Sequence, residues 1–288
     1  MNNSINITEC PRDAIQGLSK FIPTNEKANY INSLIKVGFD IIDFGSFVSP
    51  KVVPQMKDTA QLVSLLKIEN QTKLLSIVLN KRGAVESSSF DKIKILGYPL
   101  SISELFQRNN SNKDINTSLG VIDQIQNICI QKNKTLLIYF SMAFGNPYGD
   151  KWNQDLLLGY INQIVKRGVD MISLADTIGT SSIDTIAHIY NAAIHHFEDL
   201  DIGLHLHSHP DDAYNKIETA WHAGCRRFDV AINGYGGCPF AQDTLVGNIP
   251  TEKLLNFLSN HGINHSLDSL AFESAYNEAK ILFSKYGS

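Results

Sequence analysis

The segment QDLLLGYINQIVKRGVDMISLAD, residues 154–176, holds in one span the unit from which the fold follows. Its first part, Gln154–Lys166, carries apolar residues at helical spacing, and Arg167-Gly168 then breaks the pattern. Glycine tolerates the left-handed conformation that ends a helix, so the break is a physical boundary. A short β-rich run, Asp170–Ala175, follows directly, and the polar Asp176 closes it. Helix, glycine, buried strand, polar residue: the same order appears around Val37-Gly38 and Ala223-Gly224.

Working outward, eight such strands are expected: Ile5–Cys10, Asp40–Gly45, Lys73–Leu79, Lys92–Tyr98, Thr135–Met142, Asp170–Ala175, Gly203–His207 and Arg227–Ile232. Amphipathic helices lie between them at Asn25–Lys36, Asp58–Leu66, Thr117–Gln131, Gln154–Lys166, Ser182–Phe197 and Ala213–Ala223. Between the third and fourth strands, Gly83–Phe90 is polar and gives only a weak helical pattern. Thr251–Asn260 supplies an eighth barrel helix, and Leu267–Lys285 a C-terminal helix that covers the barrel. Parallel neighbours need crossover helices, so strict alternation implies a parallel sheet. Eight strands close one into an α/β (β/α)8 TIM barrel with an additional C-terminal helix, and residues 1–288 read as a single catalytic domain. The competing topology is a doubly wound open sheet. No Gly-x-Gly-x-x-Gly follows the first strand, which weighs against it.

Composition narrows the class. Of the 288 residues 43% are hydrophobic and 19% charged, which is ordinary for a globular chain. A formal charge of −4 and the lack of a long basic stripe argue against nucleic acid as a partner. The opening residues Met1–Ile5 show no basic segment leading into an apolar run, so no secretory signal is expected. The longest apolar stretch, Leu136–Phe144, is too short to span a bilayer, so no membrane partner is expected either. Cys10, Cys129, Cys225 and Cys238 are scattered without Cys-x-x-Cys spacing, the pattern of reduced thiols in a cytoplasmic protein.

Polar residues that would be odd inside strands gather at the strand ends. They are Arg12 and Asp13, Asp43 and Ser46, Asn80, then Ser101, Ser103 and Glu104, Ser141, Asp176 and Thr177, His205 and His207, and finally Cys238 and Asn248. In an α/β barrel these ends share one mouth, where active sites lie. His205-Leu206-His207 is the sharpest signal, since residues two apart on a strand face the same way and both imidazoles can reach one ion. Two core histidines bonded to backbone are the plain alternative. His209 keeps the parity, but Pro210 is expected to break the strand there. Asp13 can add a carboxylate and Asn248 a neutral oxygen, a mixed set that suits a divalent Lewis acid. Arg12-Asp13 has a surface ion pair as its alternative, and Asp176 a helix-capping role. The loop Asn233–Pro239 is glycine-rich and bears Cys238, a thiol suited to nucleophile or proton donor.

Several segments carry a resemblance: Cys10-Pro11-Arg12-Asp13-Ala14-Ile15-Gln16, Ser46-Phe47-Val48-Ser49-Pro50-Lys51, Gly145-Asn146-Pro147-Tyr148, Ala175-Asp176-Thr177-Ile178-Gly179, His205-Leu206-His207 and Gly236-Gly237-Cys238-Pro239-Phe240-Ala241, with Gly247-Asn248 beyond. In these the chain resembles the 3-hydroxy-3-methylglutaryl-CoA lyases, within the metal-dependent barrel superfamily that also contains condensing enzymes. The likeness runs from about Thr8 to Leu255. It implies cleavage of an acyl-CoA substrate to acetyl-CoA and acetoacetate, in the setting of leucine degradation. It implies metal ligation by Asp13, His205, His207 and Asn248, with Mg²⁺ or Mn²⁺ as the expected ion and Zn²⁺ as an alternative. It also implies catalytic roles for Arg12, Asp13, Asp176 and Cys238, and substrate contacts from Arg12, Asp43, Ser46, Asn80 and Thr177, with Glu252 at a further pocket position. Lys51, Lys81 and Arg82 lie on mouth loops, where CoA phosphates would pass. Thr8 and Asp43 stand where the family commonly has glutamate, Cys10 where it has glycine, and Ser208 where aspartate is frequent. A related condensing or aldolase-type enzyme, or a non-catalytic metal-binding paralogue, is the alternative reading. The assembly expected is a homodimer, for which the sequence itself offers little.

Overall fold

Gly38, Gly168 and Gly224 sit at φ of +88°, +76° and +98° in the computed structural model, which describes residues 4–237 and 246–287. Each falls where a helix hands over to a strand. In chain order these begin β1 (Asn6–Glu9), α1 (Pro11–Gln16), α2 (Thr24–Val37), β2 (Ile41–Ser46), α3 (Thr59–Leu65), β3 (Lys73–Ile77) and α4 (Lys81–Ser88). Next come β4 (Ile93–Ser101), α5 (Glu104–Ser111), α6 (Ile115–Lys132), β5 (Thr135–Ser141), α7 (Gln154–Val165), β6 (Met171–Asp176) and α8 (Ile183–His196). The chain ends with β7 (Asp201–Ser208), α9 (Ala213–His222), β8 (Arg227–Val230), the two-residue β9 (Gly247–Asn248), α10 (Thr251–Asn260) and α11 (Ser269–Tyr286).

Strands β1 to β8 pair in parallel with their sequence neighbours, and β8 returns to β1, so the sheet closes into an eight-stranded barrel ringed by helices. Side chains alternate across each strand, so one set fills the barrel and the other packs under the helices. The larger apolar cluster lies in that helix–sheet layer and includes Ile7, Ile42, Leu74, Leu96, Ile138, Ile172 and Leu204. A smaller one, with Ile41, Leu75, Ile95, Leu137 and Met171, fills the barrel interior towards the N-terminal ends of the strands. Above it the interior turns polar.

Helix α11 packs on α2 and carries a stacked pair, Phe283 on Tyr235, with ring centres 4.0 Å apart. The weak helical pattern after the third strand proves to be α4, started by the Asn80 side chain accepting from Gly83 N at 2.9 Å. Two short helices were hidden from sequence periodicity. In α1 Pro11 stands at the first helical position. In α5, capped by Ser103, only Phe106 and a few polar residues face inward. No helix of the described residues is long and apolar enough to cross a membrane.

Candidate active site

At the C-terminal end of the barrel a cavity of about 370 Å³ opens between the strand ends. The sequence-predicted Arg12, Asp13, Ser46, Ser141, Thr177, His205 and His207 line it, joined by Gln16, Tyr139, Asn109 and Asn110, which sequence reasoning gave no role. The alternation on β7 aims both imidazoles the same way, and their Nε2 atoms lie 3.3 Å apart. Asp13, on the first turn of α1, brings Oδ2 within 3.8 Å of His207 Nε2. Asn248, on β9 beside His207, donates from Nδ2 to that same Asp13 oxygen at 2.8 Å and to Tyr235 O at 2.9 Å.

Arg12 is no surface pair: its side chain is 12% exposed and it joins two carboxylates. Its Nε donates to Asp43 Oδ2 at 3.0 Å, while Nη1 donates to Asp13 Oδ1 at 3.0 Å and to Gln16 Oε1 at 2.9 Å. Gln16 completes the ring, donating to Asp13 Oδ1 at 2.7 Å. Burial weakens a charge on Arg12, but Asp43 and Asp13 outweigh it and hold the guanidinium protonated. Burial would likewise raise Asp13, yet Arg12 and the two histidines keep it below its ordinary value. Burial pushes Asp43 up to about 6 against the pull of Arg12, which leaves it ionised at neutral pH. Burial and the neighbouring His205 lower His207 to about 4, so that ring is neutral. For His205 burial opposes the charge, but the hydrogen bond and charge of Asp229 raise it above its ordinary value.

The donor set fits a divalent cation. A ring nitrogen of each histidine and a carboxylate oxygen of Asp13 lie within 4.8 Å of one another, and all three residues are almost fully buried. The two Nε2 atoms face each other and the Asp13 carboxylate, an arrangement that either a shared proton or a cation between them would satisfy. Asn248 Oδ1 is also buried and finds no hydrogen-bond partner among the described residues. Behind His205, Nδ1 faces Asp229 Oδ2 at 3.3 Å, an arrangement that fixes the tautomer leaving Nε2 free to ligate. Asp229 was readable as an anomaly, an acid within the apolar strand Phe228–Val230, but it is not at a strand end.

Other expected residues lie elsewhere. Asp176 does not line the cavity: it is buried beneath, accepting from Thr180 N, Ser181 N and Lys216 Nζ at 3.1, 3.0 and 3.2 Å. The cap of α8 is Ser182, so Asp176 holds the turn before that helix rather than capping it. Lys216 Nζ also donates to His207 O at 3.0 Å, tying this turn to β7. Asn80 is engaged as the cap of α4, and Asp43 stands behind Arg12 rather than on the cavity wall. Ser103 donates to Asp150 and Glu104 pairs with Arg108, so the β4 end supplies structure. Glu252 accepts from Asn233 N at 3.1 Å. Strand β7 runs through Ser208, and His209 lies beyond it with its side chain 38% exposed. Cys238 lies outside the described residues. Its loop departs from beside the site, for a Cβ on Gly236 would fall 2.8 Å from Asn248 Nδ2 and from Asp13 O.

Residues 5–277 match the family model described as HMGL-like. The hydroxymethylglutaryl-CoA lyase of Bacillus subtilis is 30% identical over 94% of this chain and 91% of its own length. A solved lyase from Acinetobacter baumannii, in complex with coenzyme A and 3-methylmalate, superposes with a TM-score of 0.90 at 27% identity, covering 98% of this chain and 92% of that one. The (R)-citramalyl-CoA lyase of Chloroflexus aurantiacus is 27% identical over 92% of this chain and 86% of its own.

Proposed function

The chain belongs to the HMGL-like family, and on that premise we propose that it is a metal-dependent lyase that cleaves 3-hydroxy-3-methylglutaryl-CoA to acetyl-CoA and acetoacetate. The observation that carries this reading is the convergence of Asp13, His205 and His207 on one point of the cavity wall, with the Arg12 guanidinium beside them. A divalent ion there, Mg²⁺ or Mn²⁺ by the two oxygen ligands or Zn²⁺ by the two imidazoles, would supply Lewis acidity to the tertiary hydroxyl of the substrate.

The chain's own groups do the rest. Asp13 and the histidines would hold that ion together with Asn248. Ionised Asp13, or a histidine beside it, takes the hydroxyl proton. As the alkoxide collapses, the carbon–carbon bond breaks and its electron pair passes to the thioester enolate. Arg12, held rigid by Asp13, Gln16 and Asp43, donates to the enolate oxygen where charge develops. Cys238 then gives its thiol proton to the enolate carbon, and the proton taken from the hydroxyl passes from the base, through solvent, to the Cys238 thiolate. Ser46 and Thr177 contact the acyl group from the wall, whereas Asp43 acts through Arg12. Asp176 and Asn80 are assigned to holding their turns. Exposed Lys51, and Lys81 and Arg82 in the first turn of α4 rather than on a loop, would meet CoA phosphates, in a cytoplasmic setting consistent with buried free Cys10, Cys129 and Cys225.

The test is acetoacetate release from 3-hydroxy-3-methylglutaryl-CoA with Mg²⁺ or Mn²⁺, beside citramalyl-CoA and the condensing direction. Cleavage of the first substrate is expected. Metal binding with turnover of none would favour a non-catalytic paralogue. Cys238→Ala should lower turnover by roughly 10²–10⁴-fold, the usual worth of a positioned acid, with metal content unchanged.

A further inference from the structure

Beneath the two histidines lies a second group of ligand atoms. The Sγ of Cys10, a ring nitrogen of His205 and a carboxylate oxygen of Asp229 lie within 4.8 Å of one another. The three come from neighbouring strands: in the barrel register Asp229 pairs with Thr8 on one side and with His205 on the other, and Cys10 directly follows β1. Cys10 and Asp229 are buried, and His205 is 8% exposed. Cys10 Sγ makes a long contact to Thr8 O at 3.8 Å. Asp229 Oδ1 is buried with no hydrogen-bond partner among the described residues, and so are Thr8 Oγ1 beside it and Tyr139 Oη, whose ring stands 5.7 Å from that of His205. The separation of His205 Nδ1 from Asp229 Oδ2, 3.3 Å, is the edge of a tetrahedron whose ligands lie at the ~2.0–2.1 Å of zinc–nitrogen bonds.

Charge favours a cation here as well. Asp229, Asp43 and Asp13 all face Cys10, with Arg12 the balancing positive group, and burial together with these carboxylates pushes the thiol above its ordinary pKa. A field that opposes a thiolate alone favours a thiolate bound to a dication.

We propose that Cys10, His205 and Asp229 form a second metal site, selective for a thiophilic ion such as Zn²⁺ or Cd²⁺ and antagonistic to the ion held by Asp13, His205 and His207. On binding, the Cys10 thiol releases its proton to buffer and the thiolate sulfur ligates. His205 ligates through Nδ1, so its ring proton resides on Nε2, the atom the upper site requires. A neutral imidazole serves one ion or the other. The antagonism rests on the metal role proposed for His205; the lower site itself does not.

The test titrates Cd²⁺ into the metal-free full chain while following the ultraviolet charge-transfer band of a cadmium thiolate. The band is expected in the wild type and in Cys238→Ala, and should vanish in Cys10→Ser and Cys10→Gly. Either variant keeping the full band, or a wild type without one, overturns the site. In parallel, the electron-spin signal of protein-bound Mn²⁺ should be lost as the wild-type band grows. A band that grows while bound Mn²⁺ stays in place overturns the antagonism. A wild type that shows the band but binds no Mn²⁺ at all overturns the reading of the upper site instead, and leaves the lower one supported.

Discussion

His205 shows how one residue can be tested without disturbing its neighbours. The backbone of β7 pairs on both sides, so His205→Ala or His207→Ala should lose divalent metal and activity while circular dichroism and the thermal midpoint stay near wild type. Asp229→Asn keeps the shape but weakens the hold on His205 Nδ1. Metal affinity should fall by about 10–100-fold, as it does when such supporting partners are removed. Affinity unchanged in Asp229→Asn would mean that the tautomer of His205 does not matter. Glu9 offers a separate test through pH. It is fully buried, accepts from Ile232 N at 2.8 Å and bonds the Thr251 hydroxyl at 2.6 Å, and burial pushes its pKa up to about 8. Folded Glu9 therefore keeps a proton that the unfolded chain loses near its ordinary pKa of 4.5. Its stabilising effect is complete below that value and fades up to about 8, with a slope of at most roughly 1.4 kcal/mol per pH unit. Glu9→Gln cannot titrate, so its thermal midpoint should decline less than that of the wild type between pH 5 and pH 8, scanned at about one-unit steps. Equal declines would place the titrating group elsewhere. At this scale the sequence was informative wherever a chemical group stood at a strand end and faced inward, as Arg12, Asp13 and His207 do. It did not show that Asn80 starts a helix or that Asp176 holds a turn, because spacing does not reveal which way a turn points its side chain. It was silent on Tyr139, since an aromatic in a strand reads as packing.

Helix α11 is the element whose effect reaches furthest from its own contacts. Tyr276 donates to Asn233 Oδ1 at 2.8 Å, and Phe283 stacks on Tyr235, whose carbonyl accepts from the Asn248 amide next to Asp13. The C-terminal helix thus holds the root of the glycine-rich loop and, through it, one expected metal ligand. Phe283→Ala removes a buried ring, at a typical cost of about 3–5 kcal/mol, and frees Tyr235. Its metal affinity should fall below that of a variant matched in stability but altered away from the loop. Tyr276→Phe loses one hydrogen bond, about 1 kcal/mol, and should show the same change in weaker form. Isothermal titration with Mn²⁺ checks both. Unaltered affinity in Phe283→Ala would reduce α11 to a cover. The helix itself was legible from its spacing of Leu270, Phe272, Tyr276 and Ile281, but the face was not: Leu270 and Ile281 are exposed, and Ala275, Ala279, Leu282 and Phe283 are buried. Alanines carry little hydrophobic signal, so a face built on them is hard to see in sequence. Helices α1 and α5 were missed because six to eight residues make too few turns for a period to register.

Across the whole molecule the barrel separates stability from chemistry by placing them at opposite ends. Alternation of strand and helix made closure readable, but nothing in it pointed to the residue that seals the bottom. Arg227, the first residue of β8, turns into the barrel and is 2% exposed. Its Nε donates to Asp201 Oδ1 at 3.0 Å, Nη1 to Ser173 Oγ at 2.9 Å, and Nη2 to the carbonyls of Ile172 and Asp201. One guanidinium thus links β6, β7 and β8 where the barrel interior would otherwise leave polar groups unpaired. Gly203 makes the room, since a Cβ there would fall 2.6 Å from Arg227 Cζ. Arg227→Ala breaks the network, leaves a void and strands Asp201 and Ser173. Asp201 is half-exposed, so the loss falls on Ser173 and the carbonyls left without their donor, about 1–3 kcal/mol, and the denaturant midpoint should drop by a matching amount. Gly203→Ala should destabilise too, because the guanidinium would have to leave its partners to admit the methyl. In both variants the molecules still folded should bind Mn²⁺ and turn over substrate near the wild-type rate, since His205 and Asp13 lie at the other end of the strands. A variant that kept its stability but lost turnover would show that the bottom of the barrel sets the geometry of its mouth, contrary to the separation argued here.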